Sequence, residues 1–179
     1  MVETIHPFTD GNRRTGRALV HAMLRAKRLT HHVTVPLSAG LLVTTSAYSD
    51  ALTAYRRGPI DEIVSCFGEA CFIAVDNDRR LVNELRGIRA AWETRVGARR
   101  GTATWRSADA LVRRPVVDVP TLAAELGLAR QNVYRTVEPL VAAGVLTPSG
   151  TGRNLTWRAD EVLSAVDACA ERAGRRARP

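Results

Sequence analysis

Apolar residues recur at helical spacing along most of the chain, and this pattern predicts a mainly α protein. Between Ala18 and Ala26 they fall on one face of a helix predicted over residues 12–28. A second helix is predicted over residues 45–57, because Thr45 or Ser46 can cap its start and glycine follows its end. Pro59 suits the first turn of a long third helix.

The third helix carries one apolar stripe in two parts. Its predicted members are Ile60, Ile63, Val64, Phe67, Cys71 and Ala74, followed by Leu81, Leu85, Ile88 and Trp92. Residues 76–78 are Asp-Asn-Asp and separate the two parts, so a kink is possible there. Glycine and arginine at 97–101 then mark a domain boundary, which assigns residues 1–98 to the first domain.

From residue 102 the spacing shortens, and the pattern predicts a small α+β domain over residues 99–159. Its helices are predicted from Trp105 to just before Pro115, over 121–126 before Gly127, and over 130–143 before Gly144; strands are predicted over 145–147 and 155–157. Pro139 should kink or end the third of these helices because it removes a backbone hydrogen bond. Residues 160–179 complete the chain as a C-terminal helix and a basic tail.

The net charge of the chain indicates a class of binding partner. The 179 residues carry a net charge of +8, and residues 99–159 hold nine arginines against four acidic residues. A basic C-terminal half suits nucleic acid. Without an eighteen-residue apolar run or a secretory signal, we expect a cytoplasmic protein with no membrane contact. Three cysteines without a CxxC pair fit reduced thiols.

Side chains suited to binding phosphate or metal and to proton transfer are concentrated in residues 6–17, which have the sequence HPFTDGNRRTGR. Gly11 permits a tight turn, and the helix that follows offers unpaired amides to a phosphate. Arg14 and Arg17 are neighbours on that helix and suit phosphate oxygens. Asp10 could bind Mg²⁺, and His6 could accept a proton near neutral pH. The alternative is a solvated basic helix behind a polar turn.

These residues resemble the signature of the Fic (Fido) family, HPFx(D/E)GN(G/K)RxxR. The resemblance implies transfer of AMP from ATP, with Mg²⁺, to a Ser, Thr or Tyr hydroxyl of a protein target. It implies that His6 is the general base and that Asp10 holds the metal. It implies nucleotide binding by Gly11, Asn12, Arg13, Arg14 and Arg17. It also implies that Phe8 is buried and anchors the loop.

Two departures from the family pattern alter these expectations. Arg13 stands where most transferring members carry glycine, whereas the Doc-like branch carries lysine there and transfers a phosphoryl group, so both reactions stay open. Fic domains also place several helices and a β-hairpin flap before the signature, which here begins at His6. We therefore expect a partial Fic domain whose first helix exposes its apolar face and promotes self-association.

The C-terminal half resembles bacterial winged helix-turn-helix regulators, notably in LAAELGL at 122–128 and AAGVL at 142–146. The third helix of such a domain lies in the major groove of DNA. The DNA-binding residues implied are Arg130, Gln131, Asn132, Tyr134, Arg135 and Arg153, although Tyr134 could simply pack. A winged helix that contacts only proteins is the alternative.

Two functions from different classes follow from the sequence. The first is a Fic-type nucleotidyltransferase that uses Mg-ATP to modify a protein target. The second is a DNA-binding winged-helix regulator, in which residues 1–98 are a non-catalytic remnant.

Overall fold

The computed structural model describes residues 7–31, 34–43 and 45–174, apart from the side chains of Arg13 and Arg153. Helices dominate this part of the chain, and one small antiparallel sheet accompanies them, so the predicted fold class is confirmed. The helices are α1 (Asn12–Ala26), α2 (Leu37–Val43), α3 (Thr45–Arg56), α4 (Asp61–Arg95), α5 (Ala103–Arg113), α6 (Val119–Leu126), α7 (Arg130–Ala142) and α8 (Asp160–Arg172). The strands are β1 (Val116–Asp118), β2 (Thr147–Ser149) and β3 (Thr156–Arg158), and a short 3₁₀ turn, Gly152–Asn154, precedes β3.

The chain forms two compact units, one up to Val75 and one from Asp76. Their boundary lies within α4, upstream of the boundary that the sequence suggests near residue 98. The physical reason is the packing of the second half of α4. Trp92 is fully buried in one core cluster with Leu111 of α5 and Val162 of α8, so this half of the helix belongs with the C-terminal elements.

The first unit has little buried apolar surface. Among the described residues, ten of the fourteen exposed large hydrophobic side chains lie between residues 8 and 72. In α1 the exposed fractions of Leu19 and Met23 are 46% and 58%, and Asn12 is the one buried residue described on this helix. The uncovered apolar face expected for the first helix is therefore present.

Close packing in the first unit occurs between α2 and α4. A methyl group at Gly40 would collide with the carbonyl oxygen of Ala70, so the two backbones approach each other too closely for any side chain. The rings of Tyr48 and Phe67 make an edge-to-face contact with centroids 6.1 Å apart. The predicted apolar stripe is partly confirmed in this unit, because Ala74 is buried as expected. Ile60 and Val64 are mostly exposed instead, and Cys66 and Ala70, which lie outside the predicted stripe, are buried.

α4 is continuous through residues 76–78, where the sequence suggests a kink. Hydrogen bonds inside the second unit hold this region: Asn77 Nδ2 donates to the Cys169 carbonyl at 3.0 Å, and Asn77 Oδ1 accepts from Arg172 Nε at 2.7 Å. Arg172 also pairs with Glu84 at 3.1 Å. Together with Arg80, it holds the pKa of the Glu84 carboxyl below its usual range; the Arg80 hydrogen bond is the largest cause.

The sheet of the second unit has the strand order β1-β3-β2, with both pairs antiparallel. Trp157 on the central strand lies opposite Val117 on one side and Pro148 on the other, and it is buried in the core. The sequence pattern missed β1. It also placed β2 two residues early, because the buried Val145 and Leu146 precede the strand and pack into the core instead.

Local signals set the ends of α6 and α7. Asp118 caps α6, since its Oδ1 accepts the Thr121 amide at 2.8 Å, and Gly127 ends that helix with a left-handed φ of 65°. α7 continues past Pro139 to Ala142, close to the predicted range of 130–143, so Pro139 does not end the helix. Pro139 lies in the last turn and removes one intrahelical bond, the one that an amide at this position would donate to the carbonyl of Arg135.

Candidate functional site

The turn that precedes α1 is closed by a buried side chain. Asn12 is 8% exposed, its Nδ2 donates to the Phe8 carbonyl at 2.7 Å, and its Oδ1 accepts the Phe8 amide at 3.1 Å. Both bonds span four residues, so they hold Phe8–Asn12 as a ring. Gly11 stands at the N-cap of α1 with a φ of 81°, a conformation that favours glycine.

The first turn of α1 is suited to an anion. Thr15 donates the first helical bond, to the Gly11 carbonyl at 2.9 Å, and the amides of Asn12 and Arg14 have no acceptor among the residues described. The first turn also contains no acidic residue. Arg14 and Arg17 are both exposed on this helix, three residues apart. Unpaired amides, the positive end of the helix dipole and two guanidinium groups together favour phosphate.

The Asp10 carboxylate is held at the same turn. Its Oδ1 accepts the Gly11 amide, and its Oδ2 accepts from Arg14 Nη2 at 3.1 Å. The Asp10 and Arg14 side chains are 88% and 74% exposed, so solvent reaches both. The structure therefore brings together the side chains predicted for metal and phosphate, and it pairs them with each other.

Three sequence predictions at this turn have different outcomes. His6, the predicted general base, lies outside the described residues, as does the side chain of Arg13. Phe8 was expected to be buried, but it is 52% exposed. The ring is exposed because no buried cluster among the described residues includes it.

A comparison with protein families identifies this segment. Residues 1–24 match the model of the Fic/DOC family. This match supports Fic family membership and covers the turn, the first part of α1 and every residue predicted for the nucleotide and metal. No curated protein matches the chain.

A polar surface of the second unit lies on α7. Arg130, Gln131 and Arg135 are exposed and Asn132 is half-buried. The opposite face of α7 is buried by Val133, Thr136, Val137 and Leu140. This helix therefore has one polar face and one core face, and contact of the polar face with DNA stays a prediction.

The remaining candidate residues for this surface are Tyr134 and the arginines of the β2–β3 hairpin. The Tyr134 ring packs edge-on against Trp157 of β3, with centroids 5.7 Å apart, which favours the packing alternative for this residue. The side chain of Arg153 lies outside the described part of the chain. Arg158, the other hairpin arginine, is 3.4 Å from Asp160 and is partly neutralised by it. Beside α7, hydrogen bonds from Thr121 lower the pKa of the Asp118 carboxyl.

Sequence analysis did not anticipate a groove between α4 and α5 in the second unit. It has a volume of about 540 Å³ and an apolar floor that includes Leu85 and Val112. Arg89 forms one wall; its guanidinium lies 4.6 Å from the centre of the Trp105 ring and bonds Asp109 at 2.7 Å. These partners are remote in sequence, so no local pattern could have revealed the groove.

Two features are absent from the described part of the chain. No cluster of three or more His, Cys, Asp or Glu side chains is arranged to hold a metal ion. None of the described helices combines the length and apolar character that crossing a membrane requires.

Proposed function

We propose that this protein is a Fic-type nucleotidyltransferase that moves AMP from Mg-ATP to a Ser, Thr or Tyr hydroxyl of a protein target. The observation that carries the proposal is the turn before α1. There a family-matched segment presents a carboxylate, unpaired helix amides and two exposed arginines within eight residues.

The residues present fit a magnesium–triphosphate complex. Mg²⁺ in nucleotide sites is bound by one or two carboxylates together with phosphate oxygens, so the single carboxylate of Asp10 is sufficient. Bound there, Mg²⁺ would neutralise phosphate charge. The amides of the α1 first turn would receive phosphate oxygens, with Gly11 allowing the backbone to approach, and Arg14 and Arg17 would hold the distal phosphates.

The proposed reaction is a displacement at the α-phosphorus. The target hydroxyl oxygen forms a bond to that phosphorus, the bond to pyrophosphate breaks, and His6 takes the hydroxyl proton. Arg14 and Arg17 stabilise the charge that develops on the leaving pyrophosphate. Arg13 could instead favour attack at the γ-phosphorus, as in the Doc-like branch, which would transfer a phosphoryl group.

Calorimetry with Mg-ATP tests the nucleotide site. We expect binding by the wild type, a loss of affinity of about tenfold or more in Arg14→Ala, and no change in Lys27→Ala, which removes an exposed cation at the far end of α1. A folded wild-type protein that does not bind Mg-ATP would refute the proposal.

Labelling then tests the chemistry. With a lysate as the source of targets, label from the α-phosphate of ATP reports AMP transfer, and label from the γ-phosphate reports phosphoryl transfer. His6→Ala should abolish labelling while Mg-ATP binding persists. Equal labelling by wild type and His6→Ala would refute the role of His6.

A DNA-binding regulator is the second candidate, and the exposed face of α7 favours it. The order helix, strand, helix, helix and hairpin in residues 103–158 resembles that of a winged helix-turn-helix, and this resemblance supports the proposal that α7 lies in the major groove. Arg130, Gln131, Asn132 and Arg135 would then contact bases or phosphates. Binding of labelled duplex DNA, measured by fluorescence anisotropy at several salt concentrations, tests this candidate.

A further inference from the structure

Asn12 is unusual among the residues of the proposed nucleotide site because its side chain is buried. Within the described part of the first unit it is the one buried polar residue. Its carboxamide is engaged at both ends by the backbone of Phe8, at 2.7 and 3.1 Å. Buried amides that are satisfied in this way hold the backbone they bind in one geometry.

The ring closed by these two bonds contains the groups that matter for the nucleotide. Asp10 and Gly11 lie inside it, and α1 starts at its last residue. The Asp10 carboxylate is oriented within the ring by the Gly11 amide. A change in the ring would therefore move the carboxylate and the first-turn amides together.

We infer that Asn12 is a positioning residue, which rests on the proposed function and deepens it. Its carboxamide holds the Phe8–Asn12 turn in the binding geometry before any ligand arrives. Its side chain does not need to touch phosphate to support binding, since preorganisation removes the cost of ordering the turn. The resemblance to Fic proteins gives Asn12 only a general part in the anion-binding turn.

The test combines amide hydrogen exchange with calorimetry on the full chain. In the wild type the Phe8 amide should be protected from exchange, because Asn12 Oδ1 accepts it. Asn12→Ala should remove this protection and weaken Mg-ATP binding by about tenfold. Asn12→Asp keeps an acceptor for the Phe8 amide and should retain the protection. Thr9→Ala is the matched control, an exposed residue of the same turn whose change should alter neither reading.

The outcomes separate this inference from the proposed function. Unprotected Phe8 in the wild type, or equal Mg-ATP affinity in wild type and Asn12→Ala, overturns the positioning role and leaves the transferase proposal standing. Weaker binding by Asn12→Ala with Phe8 still protected also overturns it, because that result indicates direct contact with phosphate. A protected Phe8 amide in a wild type that does not bind Mg-ATP overturns both.

Discussion

The ion pair between Asp10 and Arg14 leads to a counterintuitive prediction about ATP. Each partner is proposed to bind a different part of Mg-ATP, yet in the free protein they bind each other at 3.1 Å. Without Mg²⁺, ATP must compete with Asp10 for Arg14 and must also approach the Asp10 charge. Replacing Asp10 by asparagine should therefore strengthen the binding of metal-free ATP, although it removes the proposed metal ligand.

The magnitude follows from the exposure of the pair. The Arg14 and Asp10 side chains are 74% and 88% exposed, and ion pairs of this kind contribute about 0.2–1 kcal/mol. Freeing Arg14 should then raise the affinity for metal-free ATP by a factor of about 1.4 to 5. In the presence of Mg²⁺ the sign reverses, because Asp10→Asn loses the carboxylate that would bind the metal.

A double-mutant cycle measured by calorimetry separates the pair from general charge repulsion. The four proteins are wild type, Asp10→Asn, Arg14→Ala and the double variant, each titrated with ATP in excess chelator. If the pair carries the effect, Asp10→Asn should change little in the Arg14→Ala background. An equal gain in both backgrounds, or a loss of affinity in Asp10→Asn alone, would refute the reasoning.

Three other predictions concern the second unit. Glu161→Ala should lower the free energy of unfolding, measured by urea denaturation, by about 1–3 kcal/mol. The reason is that Glu161 accepts a hydrogen bond from the buried indole N–H of Trp92 at 2.9 Å, and the substitution leaves this donor without a partner. Glu161→Gln should lose less stability, and an unchanged free energy of unfolding in Glu161→Ala would contradict this prediction. The pKa of the Asp118 carboxyl is lower in the folded protein than in the unfolded chain. Its cap should therefore stabilise the protein at pH values above the unfolded-state pKa of about 3.9, and this contribution should be lost as the pH falls through the lower folded-state pKa. Thermal unfolding of Asp118→Asn should lack this pH dependence. If the second unit binds DNA, Arg130→Ala and Arg135→Ala should each reduce the salt dependence by about one counterion, measured by anisotropy, and unaltered slopes would exclude phosphate contacts by these residues.

Much of the local architecture could be predicted from sequence, because helix ends depend on residues within one or two turns. Thr45 and Asn12 mark helix starts, and Gly127 and Gly144 follow helix ends, as the pattern indicates. The chemistry at the first turn of α1 was also readable, since Asp10, Gly11 and Arg14 are close in sequence. The match to the Fic/DOC family model covers the same contiguous residues.

The failures concern features that depend on remote partners. β1 forms because Val117 pairs with Trp157, forty residues away, and no local alternation indicates that pairing. α4 continues through Asp76–Asp78, where Asn77 is hydrogen-bonded by residues of α8. Both features involve hydrogen bonds between residues that are remote in sequence.

The sequence by itself therefore determined the mainly α class, most helix limits and the composition of the proposed nucleotide turn, because each depends on neighbouring residues. Only the tertiary structure showed that Asn12 is buried and closes that turn, that Asp10 and Arg14 are paired, and that Tyr134 packs on Trp157. Burial and pairing depend on the direction in which a side chain points. That direction is fixed by the backbone around it and by distant packing, neither of which residue spacing encodes.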